Sequence, residues 1–145
     1  MESAMNIAKY IVTKCMNDKI PINNTQLQKI LYIVQITFLK ELGKPLFVEN
    51  FEAWRLGPVI PDVYYSFCGW GVMKICNKYA FDEIASNKRA LIDRVVTTYR
   101  MLSVASLVKL TQSNRGAWRK VYGKGEGLRA KIPLELMKEL SCAGK

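Results

Sequence analysis

Histidine is missing from all 145 residues. Its absence removes the Ser-His and Cys-His nucleophile pairs, the commonest protein metal ligand, and the one side chain that titrates near neutrality without help from its surroundings. Long hydrophobic runs are missing as well. The longest uninterrupted apolar stretch is Ile30 to Val34, far below the roughly 18 residues of a membrane span, so no membrane partner is expected. Met1-Glu2-Ser3 lacks a basic region leading into an apolar one, so no secretory signal is read there and a cytoplasmic protein is expected. The four cysteines, Cys15, Cys68, Cys76 and Cys142, form no CxxC pair. In a reducing compartment they read as small buried hydrophobes, and neither a metal nor any other cofactor is expected.

What is present is enough apolar material for one core. Half of the residues are hydrophobic and 23% are charged, the composition of a single globular domain spanning 1–145 with no stretch polar or repetitive enough to stay disordered. The charge is lopsided: 22 Lys and Arg against 12 Asp and Glu give a net charge of +10. The excess concentrates between Lys109 and Lys131, where seven basic residues face a single acid, Glu126, while Glu49, Glu52, Asp62, Asp82 and Glu83 gather acid in the middle. Such a balance favours an acidic partner, either nucleic acid or an acidic protein surface, and charge does not choose between the two.

Periodicity supplies the elements. Ile7, Ala8, Ile11, Val12 and Cys15 recur at helical spacing, predicting an amphipathic helix that ends near Asn17 before Pro21 blocks continuation. Asn23, Asn24 and Thr25 are candidate N-caps, Gln26 or Gln28 completes a capping box, and the stripe Leu27, Leu31, Val34, Phe38 predicts a second helix to Leu42 with Gly43 closing it. Because Ile30, Ile33 and Ile36 lie off that stripe, this helix should be central. A short β-hairpin is expected next, with Leu46-Phe47-Val48 and Phe51-Glu52-Ala53-Trp54 as strands and Glu49-Asn50 as the turn. Pro61-Asp62 opens a third helix, and Gly69-Trp70-Gly71 ends it. Val72 to Asn87 carries no sustained period, and helical and irregular readings both stand. Leu91 through Leu102 marks another amphipathic helix, Ser103 caps a short successor, and two further short helices fall near Ala117–Tyr122 and Pro133–Leu140, joined by the glycine-rich link Gly123–Gly127. The fold class is mainly α (α+β): a single compact helical domain with one short hairpin.

Three blocks, in this order, resemble the Panacea domain found in SocA-like antitoxins and phage-associated GepA-like proteins. Leu27-Gln28-Lys29-Ile30-Leu31-Tyr32 is followed by Gly43-Lys44-Pro45-Leu46-Phe47. Phe51-Glu52-Ala53-Trp54-Arg55-Leu56-Gly57-Pro58-Val59-Ile60-Pro61-Asp62-Val63-Tyr64 is the most specific block. Leu110-Thr111 leads to Trp118 and then to Ile132-Pro133. Together they cover nearly the whole chain. The family usually has histidine directly after that threonine and proline before the tryptophan; here Gln112 and Ala117 stand there. Imidazole chemistry at that position is therefore excluded, although glutamine still donates and accepts hydrogen bonds. The resemblance implies a mostly helical bacterial or prophage protein that neutralises a cognate toxin by direct binding, with a protease or chaperone as a further partner where a member acts as a delivery adaptor. In that frame Gln28, Lys29, Tyr32, Trp54, Gly57, Pro58, Thr111 and Trp118 are motif residues with structural roles.

No catalytic residue is assigned and no enzyme is expected. Glu49 with Glu52, and Asp82 with Glu83, are carboxylate pairs best explained as solvated surface. Gly123-Lys124-Gly125-Glu126-Gly127 lacks the strand and spacing of a phosphate-binding loop and reads as a flexible link; flexibility there would let Lys124 and Arg129 adapt to a partner, but a plain loop is the favoured reading. The helices near Ser103 and Ala117 suggest a helix-turn-helix, but the second is too short to project a recognition face. A basic nucleic-acid-binding regulator of prophage or toxin–antitoxin genes is the alternative function, with nucleic acid as the less favoured partner. Trp54 and Trp118 are expected in the core. Arg55, beside Gly57-Pro58, must pair internally or face a partner. With Tyr64, Tyr65, Arg115 and Arg119 it forms the expected partner-binding set.

Overall fold

The computed structural model describes residues 1–142; for Cys142 only the backbone is described. Its centre is the helix Asn24–Leu42 (α2), against which the helices Ala4–Asn17 (α1), Pro61–Phe67 (α3), Ser86–Tyr99 (α4), Val104–Thr111 (α5) and Leu134–Cys142 (α7) pack, with Ala117–Tyr122 (α6) beyond them. The central placement follows from the sequence, since Leu27, Ile30, Leu31, Val34, Phe38 and Leu39 are all buried and together occupy more than one side of the helix. Local signals set its ends. Asn23 and Gln26 form a reciprocal capping box, and Gly43 adopts the left-handed conformation with φ 70°, as a side-chain-free C-terminal residue permits.

Three short strands lie against this framework. Phe51–Trp54 (β1) pairs antiparallel with Gly57–Val59 (β2) on one side and with Lys131–Ile132 (β3) on the other, giving the order β2-β1-β3. The hairpin thus turns at Arg55-Leu56, one strand later than expected, and Leu46-Phe47-Val48 is not a strand of it. Leu46 and Phe47 instead form an isolated parallel bridge with Glu2, whose N–H donates to the Leu46 carbonyl at 3.1 Å, and bond the Gln35 side chain: its Nε2 donates to the Phe47 carbonyl at 2.6 Å, and its Oε1 accepts from the Leu46 N–H at 2.8 Å. Leu46 and Phe47 are apolar because they are buried beneath α2.

Elsewhere the expected helices form at their expected places, with Ser103 accepting from the Ser106 N–H as the cap of α5 and Pro61 in the first turn of α3. The ambiguous stretch is irregular from residue 72 until α4 begins at Ser86. It is fastened by side chains of α1, Asn6 bracketing the Asp82 backbone and the Thr13 hydroxyl doing the same at Tyr79. The glycine-rich run, expected as a flexible link, is a series of hydrogen-bonded turns: Gly125 and Gly127 both donate to the Tyr122 carbonyl, and the Glu126 carboxylate accepts from the Lys124 N–H. The cysteine expectation holds for Cys15, which is buried, and fails for Cys68 and Cys76, which are exposed in the turn after α3 and in the irregular stretch; the Cys142 side chain lies outside the described residues. No described helix is long and apolar enough to cross a membrane.

Candidate functional site

The motif residues of α2 meet the hairpin in a dry junction. Gln28 accepts from the Ile60 N–H at 3.0 Å and donates to Asn24 at 3.1 Å, and the Lys29 ammonium donates to the Pro58 carbonyl at 3.0 Å. Lys29 is 1% exposed, and that burial pulls its pKa from 10.5 down to about 7, because desolvation penalises the charged form. Gly57 completes the junction at φ +118°. A Cβ there would lie 3.0 Å from the Thr111 hydroxyl and 3.1 Å from Lys29 Cε, so glycine is required twice over. Thr111 itself is buried and donates back to the Leu107 and Val108 carbonyls of α5. Gln112, standing where the family has histidine, donates from Nε2 to the Arg55 carbonyl at 3.0 Å and so steadies the hairpin turn from outside.

The opposite side of the hairpin carries aromatic rings. Trp54 meets Tyr64 at 5.1 Å and Tyr65 at 6.1 Å between ring centroids, and the two tyrosines lie 5.6 Å apart. Trp54 is half-buried, unlike the core tryptophan expected from the motif. Its indole N–H donates to Glu52 at 2.9 Å, and the Arg129 guanidinium covers its ring at 4.5 Å. Arg129 reaches that place through a left-handed backbone, φ 65°, held where the Arg129 N–H donates to the Ala53 carbonyl at 2.6 Å. Trp118 does sit in the core, 1% exposed, with its N–H donating to the Trp54 carbonyl at 2.9 Å and its ring stacked on Tyr122.

The expected partner-binding residues divide accordingly. Tyr64 and Tyr65 join Trp54 in one cluster, and Arg55 is exposed at the adjoining turn. Arg115 is also exposed, but at the mouth of a separate groove. Arg119 folds inward: it is half-buried, lies 4.7 Å over the Trp118 ring and donates to the Gly123 carbonyl at 3.2 Å. Among the described residues, Arg55, Arg115, Arg129 and Lys131 enter no ion pair. Of the two carboxylate pairs, Asp82 and Glu83 are exposed as expected, whereas Glu49 and Glu52 are half-buried and engaged, Glu49 accepting from the Ala4 N–H at 3.0 Å and Glu52 from Trp54. No cluster of described residues could hold a metal ion. The sequence offered Asn24 only as a candidate helix cap, whereas its side chain joins Gln28 to the Tyr64 carbonyl; the roles of Gln35 and the ring contact of Arg129 were not foreseen. Asn24 and Gln35 carry the weak signal of polar residues on an otherwise apolar helix; the contact of Arg129 depends on a long-range approach that no local pattern announces.

These arrangements fall largely within the segment that known proteins share. The family model described as antitoxin SocA-like, Panacea domain, matches residues 27–119, from the start of the Gln28–Lys29 block to just beyond Trp118. Antitoxin SocA of Caulobacter vibrioides (strain NA1000 / CB15N) is 32% identical over 145 residues, an alignment covering 92% of this chain and 77% of that protein. No solved structure matches. With the signature residues placed as one buried junction and one aromatic face, and with both relationships spanning most of the sequence, the chain belongs to the SocA-like Panacea-domain family of antitoxins.

Proposed function

We propose that residues 1–145 act as one cytoplasmic domain that neutralises a cognate toxin by direct protein–protein binding and without catalysis. The observation that carries the reading is the face formed by Trp54, Tyr64 and Tyr65 beside Arg55, which has no ion pair among the described residues. Rigid aromatic area next to arginine is the composition of binding hot spots, and an arginine without an internal carboxylate has its fork free for an acidic partner. Family membership implies a toxin as that partner. Co-expression with the product of the adjacent gene tests it: growth arrest by the product alone and recovery beside this protein are expected, and a harmless product or persistent arrest refutes the reading. Simple occlusion and delivery to a protease are separated by the toxin's half-life, which stays unchanged in the first case and shortens in the second.

A second reading, a nucleic-acid-binding regulator, is favoured by one observation: among the described residues no basic side chain from Lys109 to Lys131 has an ion-pair partner. It predicts binding to duplex DNA or RNA that weakens steeply with salt; no mobility shift at micromolar protein and low salt removes it.

A further inference from the structure

Arg129 sits where the backbone favours another residue. At φ 65° it is left-handed, a conformation that disfavours an L side chain and that glycine adopts freely. The other described non-glycine residue of this kind, Lys19, follows the cap of α1, where a single left-handed residue is routine. Arg129 ends no helix. With Gly123, Gly125 and Gly127 just upstream, a side chain stands where glycine would relieve the backbone, and such a position argues that the side chain has a use.

What that side chain holds in reserve is its hydrogen-bonding edge. Arg94 and Arg100 are ion-paired, and Arg89 donates to the Ile84 carbonyl. Arg119, which also lies on a tryptophan, donates to Gly123. Arg129 is exposed, its guanidinium rests 4.5 Å over the Trp54 ring, and its side-chain N–H groups have no acceptor among the described residues. A fork already held by stacking loses little rotamer freedom when it binds, and the groups that match its geometry are carboxylate and phosphate.

The surroundings decide between these two. Lys131 stands opposite Glu52 across β1 and β3, which puts it on the same sheet face as Trp54, and Arg55 is exposed at the hairpin turn. Neither has an ion pair among the described residues. Two acids are near, and both are engaged: Glu52 accepts from the Trp54 indole, and Asp62 occupies the first turn of α3, where the helix dipole favours negative charge. Three cations therefore await an anionic partner. A nucleic-acid strand would bring phosphates together with bases that stack on ring faces. Here the planes of the three rings meet at 56°, 61° and 82°, and Arg129 already covers Trp54, so successive bases find no platform. A peptide needs none, and exposed Leu56 and Leu128, next to Arg55 and Arg129 in the chain, add apolar contact of the kind a protein segment uses. We infer that the Trp54 face receives an acidic segment of the toxin and that Arg129 is its specificity-determining residue, a carboxylate accepting from the guanidinium edge while the guanidinium plane stays on Trp54. Arg129 and Lys131 lie beyond the residues 27–119 that the family model matches, so the C-terminal part of this chain selects the partner that the aromatic cluster contacts. The inference rests on the antitoxin reading for the identity of that partner.

The test uses the full chain and the purified product of the neighbouring gene. Arg129→Gly removes the side chain while relieving the backbone, so its melting temperature should hold; Lys138→Ala, at an exposed position of α7, controls for net charge. Expected are a Kd at least about tenfold weaker for Arg129→Gly, a salt dependence of its binding shallower than that of the wild type, and wild-type affinity for Lys138→Ala. Wild-type affinity in Arg129→Gly, an unchanged salt dependence, or an equal loss in Lys138→Ala overturns the inference while leaving the antitoxin reading intact. A melting temperature that falls together with the affinity overturns it too, since Arg129 would then only prop Trp54. A neighbouring product that is harmless, or that does not bind the wild type, refutes the antitoxin reading instead. The face is then judged on short random peptides, displayed and selected on the wild type. Enrichment of Asp and Glu with loss of binding to Arg129→Gly upholds a site for acidic segments, and no such enrichment, or binding retained by the variant, overturns it. Tighter binding of single-stranded oligothymidine than of any selected peptide, lost in Arg129→Gly, overturns it in favour of nucleic acid.

Discussion

The two sides of the signature segment from Phe51 to Tyr64 treat their polar groups in opposite ways. Toward α2, Gln28, Lys29 and Thr111 each have named partners, and a Cβ at Gly57 would press on Thr111 and Lys29 at 3.0 and 3.1 Å. Away from α2, Trp54, Tyr64 and Tyr65 are gathered into a cluster while Arg55 and Arg129 have no ion pair among the described residues. The same fourteen residues of sequence thus build a closely packed junction on one side and an aromatic face on the other, the face proposed above to meet a partner. Family resemblance alone does not separate these, because a motif preserves both kinds of residue equally.

Substitutions that break the inner side should cost stability, and those on the outer side should cost binding. The largest expected effect is Trp118→Ala, which empties a fully buried indole site and strands the Trp54 carbonyl; about 4 kcal/mol should be lost in urea unfolding. Gly57→Ala comes next, at about 2 kcal/mol, because the new Cβ meets Thr111 and the φ of +118° disfavours any L side chain.

Lys29 gives the inner side a pH signature. Its pKa is 10.5 when exposed and about 7 in the fold, so between those values the unfolded chain holds a proton that the folded chain lacks. Stability therefore rises with pH in that window, by up to about 1.4 kcal/mol per unit, and is lost as pH falls toward 7. Urea midpoints from pH 7 to 8.5 should climb in the wild type and much less in Lys29→Met. The range stops there because burial raises the Cys15 thiol above 9.0, and that group acts with the opposite sign once the unfolded thiol ionises. The smallest effects on stability belong to the outer side: Arg55→Ala and Tyr65→Ala, both at exposed positions, should stay within about 0.5 kcal/mol of wild type. An equal loss at Tyr65 and at Gly57 would erase the distinction between the two sides.

What could be foreseen from sequence follows the range of each interaction. Asn23 with Gln26, Gly43, Ser103 and Pro61 announce helix ends because caps are made within a few residues. The hairpin was expected one strand too early because burial under Gln35 and strand pairing select the same apolar residues at Leu46 and Phe47. Strand β3 is two residues long and pairs across most of the chain, too little to leave a pattern. At the candidate site, Tyr64 and Tyr65 were legible as hot-spot types near Arg55. Arg119 is half-buried over Trp118, its own neighbour in the chain, and donates to Gly123 four residues on, a local placement that residue type alone does not announce. The groove that Arg115 lines draws its walls from five helices and has no sequence signature at all.

Stoichiometric, non-catalytic capture of the toxin through the outer side, as proposed, has a signature that a titration reads. Purified toxin from the neighbouring gene, assayed for activity while this protein is added, should lose activity linearly to an end point near one protein per toxin, and the exposed double variant Arg55→Glu/Tyr65→Ala, folded as wild type, should need at least tenfold more. Complete inactivation by a small fraction of an equivalent, or an unshifted end point with the double variant, would contradict it.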